Sequence, residues 1–355
     1  MVRMQKIIRE DIERICEEEL PWHTLGNKRI LVTGSSGFLG TYIVLSLMEC
    51  NRRYNTDITV HALCRSKEKA YAKFKECWDN SHLQFIFQDV CEDIDDKYKS
   101  DLIIHAASPA NPYIIQKQPY DVVKANVFGY SRLLEKAREW GTKELILFSS
   151  SAVYGYSAPQ SGVDEDYREP IDFTQVKDVY CLSKQMCEMM TVCFEKTGDV
   201  EVKVLRPFVV YGPGDDLTNK KAMTDFLNDC LAGRNIVLKS KGDAIRSYIY
   251  IGDAIRAFYY ILLKGYRGAY NISSEKNVYS IREVVRFFCE CSGDIEIEYL
   301  IGNEDYLNNR TQVMIGKNNK IRELGWSEKI NLKEGIARTI NWGKGISGKK
   351  EGLYE

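Results

Sequence analysis

The stretch LVTGSSGFLG (31–40) places three glycines, Gly34, Gly37 and Gly40, three residues apart directly after a short apolar run. A helical pattern, FLGTYIVLSLMEC, overlaps its end. Glycine permits a tight turn, a close approach of a pyrophosphate to backbone N–H groups, and close packing of a helix on a strand. The start of the helix adds free N–H groups and the positive end of its dipole. The stretch therefore predicts a dinucleotide-binding turn between a strand and a helix.

Apolar runs alternate with helical patterns over the first part of the chain. Continuous apolar strands separated by helices are typical of a parallel sheet that is covered on both faces. We therefore predict an α/β fold of the Rossmann type, with a doubly wound parallel sheet. The predicted strands are RILVT (29–33), ITVHALC (58–64), LQFIF (83–87), DLIIHAA (101–107), LILFSS (145–150) and VKVLR (202–206).

The alternation becomes less regular after about Tyr211, where the loop YGPGDDLTNKK begins. We predict a dinucleotide-binding domain over 28–210, to which 243–263 returns, and a smaller α/β substrate-binding domain over 211–345. The functional site would lie at the carboxyl ends of the strands. The polar tail, 346–355, is expected to be loose. An N-terminal helical extension is predicted over 1–27, with apolar residues at helical spacing: Met4, Ile7, Ile8, Ile12 and Ile15.

The composition argues against several classes of partner. The 49 basic and 50 acidic residues nearly cancel, so no overall charge favours nucleic acid or an anionic membrane. Eleven cysteines without a CxxC pair and four unclustered histidines indicate reduced thiols rather than a metal site. No apolar run is long enough to span a membrane, and the N-terminus carries acids where a signal peptide would be apolar. We expect a cytoplasmic protein without a bound metal.

The stretch YCLSK (180–184) places Tyr180 and Lys184 on one face of a helical pattern. A phenol is a poor base at neutral pH, but a nearby ammonium group favours its ionised form. Such a pair could remove the proton of an alcohol while the carbon gives hydride to a nicotinamide. The hydroxyl of Ser150, at the end of the fifth predicted strand, could hydrogen-bond the same oxygen. These three residues are the candidate catalytic group.

The residues at the end of the second predicted strand bear on whether the cofactor is NAD or NADP. An acidic residue there usually binds the ribose 2′-hydroxyl, but this chain has Cys64 and Arg65. Arg65 could pair with a 2′-phosphate, which favours NADP, or could be a solvated loop residue. Asp89, which follows the third strand, could accept a hydrogen bond from the adenine amino group. NAD and NADP therefore both remain open.

Together these motifs resemble the extended short-chain dehydrogenase/reductase superfamily, in particular its NAD-dependent epimerase/dehydratase family, which modifies nucleotide sugars. The resemblance runs from about Lys28 to Trp342. It rests on GSSGFLG, HAASPA, Asn126 of KANVFG, SSSAVYG, YCLSK, RPFVVYGPG, GDAIRSYIYIGDA and the closing ELGW and EGIARTINW.

The resemblance implies a nucleotide-diphosphate sugar as substrate and Ser150, Tyr180 and Lys184 as the catalytic triad. It also implies a homodimer through helices that begin near Val122 and Tyr180. Arg246 would bind the substrate diphosphate, and Arg310 would be a second ligand. Implied cofactor contacts are Gly34, Ser36, Gly37, Phe38, Leu39, Gly40, Arg65, Asp89, Val90, Ala106, Ala107, Ser108, Asn126, Tyr180, Lys184 and Pro207. Implied substrate contacts are Ser108, Ser150, Ser151, Val209, Arg246 and Arg310.

The residues beside the triad discriminate between the reactions of this family. The 4,6-dehydratases carry Asp-Glu, and the UDP-glucuronate decarboxylases carry Glu, where this chain has Ser151 and Ala152. We therefore favour a 4-epimerase that acts through a transient 4-keto sugar. The alternatives are a decarboxylase, as HAASPANP suggests, and a 4-ketoreductase, which fits Arg65 and the presence of Val209 where an asparagine is usual. A non-catalytic dinucleotide sensor is a further class, against which the complete triad argues.

Overall fold

The computed structural model describes residues 6–156, 158–198, 200–301 and 312–351. Its helices are α1 (Lys6–Cys16), α2 (Phe38–Tyr54), α3 (Lys67–Phe74), α4 (Pro112–Lys117), α5 (Pro119–Val123), α6 (Gly129–Trp140), α7 (Val179–Glu195), α8 (Ala222–Leu231), α9 (Ile251–Lys264), α10 (Ile281–Ser292), α11 (Asn319–Glu323) and α12 (Leu332–Glu351). Its strands are β1 (Arg29–Thr33), β2 (Thr59–Cys64), β3 (Leu83–Phe87), β4 (Leu102–His105), β5 (Glu144–Phe148), β6 (Glu201–Pro207), β7 (Val209–Tyr211), β8 (Ile236–Leu238), β9 (Ile245–Tyr250), β10 (Gly268–Ile272), β11 (Val278–Ser280), β12 (Ile297–Tyr299) and β13 (Val313–Met314).

The main sheet has seven parallel strands in the order β3-β2-β1-β4-β5-β6-β10. The six runs predicted from the sequence form its first six strands, and the Rossmann-type fold is confirmed. The central strand β1 is buried on both faces: Ile30 and Val32 join one core cluster, and Leu31 joins the other. This double burial explains why the strands read as continuous apolar runs rather than as an alternating pattern.

The chain after β7 contributes to two different sheets. In the segment 243–263, β9 lies at the centre of a small sheet with β7, β11 and β13, while α9 packs on the main sheet. The hydroxyl groups of Ser46 on α2 and Tyr259 on α9 are 2.7 Å apart, which places these helices side by side. The seventh strand of the main sheet, β10, comes later in the chain than the segment predicted to return. The domain boundaries themselves stay a prediction.

The N-terminal segment is attached to the rest of the protein by two buried carboxylates. Asp11 of α1 accepts hydrogen bonds from Tyr42, Tyr250 and Arg338. Glu18 accepts others from the side chains of Arg256, Lys329 and Tyr260. These contacts reach α2, α9 and α12, so the segment 6–18 is part of the folded core. Met4 lies outside the described residues.

Helix α12 continues to Glu351 and so covers part of the segment 346–355 that we expected to be loose. Extending an existing helix costs less than nucleating a new one, so a polar, glycine-containing end can remain helical. Within the described ranges, no helix combines the length and the apolar character needed to cross a bilayer.

Candidate active site

The glycine turn (34–40) is built from backbone that leaves no room for side chains at two of its positions. Gly34 has φ of 65°, and a Cβ atom there would lie 2.7 Å from the backbone nitrogen of Ala107. A Cβ atom at Gly40 would lie 2.2 Å from the Gly34 carbonyl oxygen. Gly37 is the N-cap of α2 and provides no side-chain cap, so the first N–H groups of the helix are available to an anion. This geometry fits a dinucleotide pyrophosphate.

The remaining predicted cofactor residues of the first strands surround this turn. Ser36, Phe38 and Leu39 belong to the turn itself, and Ala106 follows β4 beside it. Arg65 and Asp89 follow β2 and β3, and their side chains form an exposed ion pair at 3.9 Å. Arg65 thus has a carboxylate beside it at the position where it could meet the 2′-phosphate of NADP. Val90 is buried, and its Cγ1 would lie 2.6 Å from a Cβ atom placed at Gly129.

Tyr180 lies in the first turn of α7, facing the ends of β4 and β5. The hydroxyl groups of Ser150 and Ser108 lie close enough to its phenol to lower the pKa of Tyr180 by hydrogen bonding. Burial raises the pKa of Tyr180, and the two serine hydroxyls oppose that shift without reversing it. The predicted Ser150–Tyr180 pair is therefore brought together, and Ser108 joins it as a second hydroxyl on the same oxygen.

Lys184 is buried one turn further along α7, where its Nζ donates a hydrogen bond to the Phe148 carbonyl at 2.8 Å. Burial lowers the pKa of Lys184. Burial and the charge of Lys184 together lower the pKa of His105 to about 3. The sequence predicts that the ammonium group lowers the pKa of Tyr180, but in this structure that pKa is raised. The physical reason is that burial of the phenol dominates, while the ammonium donates to the carbonyl of Phe148.

Asn126 lies in a π-helical turn, Lys124–Phe128, between α5 and α6. Its side chain is fully buried, accepts a hydrogen bond from Ser108 at 2.8 Å and donates one to Ser183 at 2.8 Å. Single π-helical turns inside helices are often associated with functional sites. Here the turn places Asn126 between the HAASPA segment and α7, so Asn126 fixes the position of the Ser108 hydroxyl that contacts Tyr180.

A buried ion pair, which the sequence analysis missed, holds α7 against the sheet. Arg206 of β6 binds both carboxylate oxygens of Glu188, at 2.9 and 2.6 Å. The same carboxylate accepts a hydrogen bond from Ser149, next to Ser150, at 2.6 Å. Arg206 also donates to the phenol oxygen of Tyr154 at 2.8 Å. The position of Glu188, one turn beyond Lys184 on the same helix face, was the signal available in the sequence.

A cleft of about 250 Å³ opens beside Tyr180. It brings together four residues that we predicted for the site, namely Ser151, Tyr180, Val209 and Arg246. Arg246 donates a hydrogen bond to the Ile245 carbonyl oxygen at 2.7 Å. Among the described residues, no aspartate or glutamate lines the cleft. The other lining residues are Ile115, Ala152, Gly155, Tyr156, Lys177, Cys181, Phe208 and Met314.

Of the predicted substrate contacts, Ser108 and Ser150 do not line this cleft but interact with Tyr180. Pro207 ends β6 and precedes Phe208 and Val209, so it lies at the edge of the cleft. Arg310 lies outside the described residues. In the ranges that the structure describes, no group of three or more histidine, cysteine, aspartate or glutamate side chains could hold a metal ion.

The model of the family described as "NAD dependent epimerase/dehydratase family" matches residues 30–273. The chain belongs to this family. The resemblance inferred from the motifs is thereby confirmed, and the protein is an enzyme of the NAD-dependent epimerase, dehydratase and decarboxylase group that acts on nucleotide sugars.

Similar proteins differ in the reaction that they catalyse. UDP-glucuronic acid decarboxylase 6 of Arabidopsis thaliana is 27% identical over 314 residues, covering 87% of each chain. Human dTDP-D-glucose 4,6-dehydratase is 28% identical over 342 residues, covering 92% of this chain and 93% of its own. The fold is shared with UDP-glucuronic acid 4-epimerase from Bacillus cereus, solved with UDP-glucuronic acid and NAD. The two structures align with a TM-score of 0.77 and 23% identity, over 89% of this chain and 99% of that one.

Proposed function

We propose that this enzyme is an NAD-dependent nucleotide-sugar 4-epimerase. The observation that carries the proposal is the lining of the cleft, where Ser151 and Ala152 follow Ser150 and no described carboxylate is present. Eliminating water from the sugar requires an acid and a base in addition to the triad. Epimerisation requires only that one proton and one hydride leave the sugar and return, together with space for the sugar to turn.

The side chains around Tyr180 account for the proton transfers. NAD, bound at the glycine turn, would supply the hydride acceptor and donor. Tyr180 takes the proton of the sugar 4-hydroxyl and returns it after the keto sugar has rotated. Ser150 and Ser108, which contact the phenol, hold the reacting oxygen and stabilise charge that develops on it. Lys184, one turn beyond Tyr180 on α7, is held by its hydrogen bond to the Phe148 carbonyl.

The loop 212–221 supports a cofactor that stays bound through turnover. The carbonyl oxygen of Pro213 accepts a hydrogen bond from Tyr42, and that of Gly214 accepts one from Lys73, at 3.0 and 2.7 Å. At its far end, Asn219 accepts a hydrogen bond from Asn111 at 3.1 Å. These partners lie on α2, on α3 and at the start of α4, the helices that follow β1, β2 and β4, so the loop is bound to three segments that follow neighbouring strands of the sheet. A cofactor that stays bound suits an epimerase, because the hydride must return to the same sugar.

The test compares the wild type with Tyr180→Phe, using UDP-glucose and UDP-glucuronic acid and following all products by mass spectrometry and NMR. We expect 4-epimers from the wild type, and at least about a 1,000-fold lower rate from the variant, the loss typical of an essential acid and base. Both proteins should release NAD on denaturation. The exposed Tyr113→Phe serves as the control. Wild-type activity in Tyr180→Phe would contradict the proposed mechanism.

The same assay separates the competing reactions. Carbon dioxide would indicate a decarboxylase, the alternative favoured by the 27% identity to a decarboxylase over most of the chain. A 4-keto-6-deoxy product would indicate a dehydratase. Protein purified without dinucleotide that binds NADPH more tightly than NADH would indicate a ketoreductase, and no turnover with bound NAD would favour a sensor.

A homodimer is the expected assembly of this enzyme. Helix α7 exposes three apolar side chains at helical spacing, Met186, Met189 and Val192, each about half exposed. Tyr120 of α5 and Phe128 are also exposed. An apolar surface of this kind is typical of a subunit contact. Light scattering should give twice the chain mass for the wild type and a lower mass for Met189→Glu, whereas a monomeric wild type would contradict the dimer.

A further inference from the structure

The cleft beside Tyr180 contains two cationic side chains, of which the resemblance accounts for one. Arg246 is the expected partner of the substrate diphosphate, while Lys177 was not singled out by any motif. Both line the cleft, and no described carboxylate lines it with them. A neutral hexose has no charged group with which a second cation could form an ion pair.

The backbone places Lys177 on the same side of the chain as the catalytic tyrosine. The 3₁₀ turn Val176–Asp178 leads directly into α7, and Lys177 precedes Tyr180 by three residues. Side chains three residues apart on a helical segment are neighbours, with Cβ atoms about 5 to 6 Å apart. A group bound by Lys177 would therefore lie next to the hydroxyl that reacts with Tyr180.

The Lys177 side chain is exposed, and its ammonium group lies at the wall of the cleft. It lies 5.6 Å from the centroid of the Tyr156 ring, which also lines the cleft. The Tyr156 hydroxyl donates a hydrogen bond to the buried carboxylate of Asp178. Lys177 also has an electrostatic interaction with Asp172 outside the cleft. This arrangement keeps a positive charge close to the position of the reacting sugar.

We infer that Lys177 binds a carboxylate on the sugar ring, so that the enzyme selects a nucleotide-linked hexuronic acid over the corresponding neutral hexose. The inference rests on the proposed function, since it assumes that Tyr180 acts on the 4-hydroxyl of a nucleotide sugar. In a hexuronic acid the carboxylate is attached to C5, the ring carbon next to C4. Tyr180 can thus contact the 4-hydroxyl while Lys177, one turn earlier in the chain, contacts the carboxylate. Hydrogen bonds between charged groups are the stronger ones in proteins.

The test measures equilibrium binding of UDP, UDP-glucose and UDP-glucuronic acid, of which the last two differ only at C6. Titrations use the Tyr180→Phe background, so that no turnover interferes, with and without Lys177→Met. We expect Lys177→Met to weaken binding of UDP-glucuronic acid about 10- to 100-fold, as for loss of one charged hydrogen bond. Binding of UDP and UDP-glucose should change by less than about twofold. Lys177→Arg should retain the preference, and Lys196→Met, at the exposed far end of α7, should have no effect.

The outcomes distinguish failure of this inference from failure of the proposed function. Equal weakening of all three ligands in Lys177→Met would show that Lys177 serves the diphosphate or shapes the cleft, and would overturn the inference alone. Equal affinity of the Tyr180→Phe protein for the two sugar nucleotides would do the same. Failure of that protein and of the wild type to bind any of the three ligands would overturn the proposed function, and the inference with it.

Discussion

The glycine turn and the catalytic helix α7 meet at the same edge of the main sheet but are held there by different means. The turn is fixed by backbone packing: Gly34 and Gly40 leave no space for a Cβ atom. Helix α7 is fixed by buried polar side chains, with Glu188 bound to Arg206 and Lys184 bound to the Phe148 carbonyl. One region depends on the shape of the backbone, and the other depends on charges that are removed from water.

This difference explains why the glycine turn could be predicted from the sequence, whereas the contacts that hold α7 could be predicted only in part. The glycine turn is encoded within ten consecutive residues, because its glycines are required by steric contacts with nearby backbone. Arg206, the partner of Glu188, is 18 residues away on strand β6, and Phe148, the partner of Lys184, is 36 residues away. Buried charges must be paired, but a linear pattern does not identify the pair.

The largest expected effect is on the region held by charge. Glu188→Ala would leave the Arg206 guanidinium buried without its carboxylate, at a cost of about 3 to 5 kcal/mol in unfolding free energy. Urea unfolding measures it. Glu290→Ala, which breaks the exposed pair with Lys333, is the control and should cost less than about 1 kcal/mol. Equal costs for both variants would show that burial of the Glu188 pair does not hold α7.

A somewhat smaller effect is expected for the glycine turn, where two glycines with nearly the same backbone angle can be compared. Gly34 and Gly141 have φ of 65° and 67°, but only Gly34 would place a Cβ atom against another segment. Gly141→Ala should cost about 1 kcal/mol, the strain of the left-handed conformation alone. Gly34→Ala should cost about 2 to 4 kcal/mol, because overpacking is added. Thermal unfolding and measurement of bound NAD provide the test.

If both alanine variants were equally stable and bound equal amounts of NAD, the close approach of Gly34 to Ala107 would not matter for the turn. Steric packing would then not be what fixes the glycine turn. If only NAD binding failed in Gly34→Ala, the steric requirement would come from the cofactor rather than from the fold.

The sequence predicted the parts of the fold that depend on local pattern and missed those that depend on long-range packing. The six strands and the glycine turn follow from apolar runs and glycine spacing. The strand β10, Gly268–Ile272, reads as an ordinary short run, and only its pairing with β6 makes it part of the main sheet. In the site, Ser150, Ser151, Val209 and Arg246 were predicted from motifs. Lys177 was not predicted, although the sequence shows that it lies only three residues, about one helical turn, before Tyr180.

The smallest effect we predict concerns acid, which should act on the regions held by charge and leave the steric packing of the glycine turn intact. Burial would raise the pKa of Glu18, but hydrogen bonds from Arg256 and Lys329 lower it to about 2. A carboxylate with a lowered pKa stabilises the folded state above the pKa of the unfolded chain. That stability is lost as the pH falls toward 2.

Between pH 7 and pH 3 this loss amounts to about 2 kcal/mol for Glu18, since the unfolded chain takes up a proton that the folded state does not. Urea unfolding at several pH values should show a shallower dependence in Glu18→Gln than in the wild type, and an unchanged one in the exposed control Glu290→Gln. The Glu18→Gln protein should also be less stable at neutral pH, because Arg256 loses its charged partner. Parallel curves for Glu18→Gln and the wild type would mean that Glu18 does not carry the acid sensitivity, and that the N-terminal segment is held by apolar packing, as the glycine turn is held by sterics.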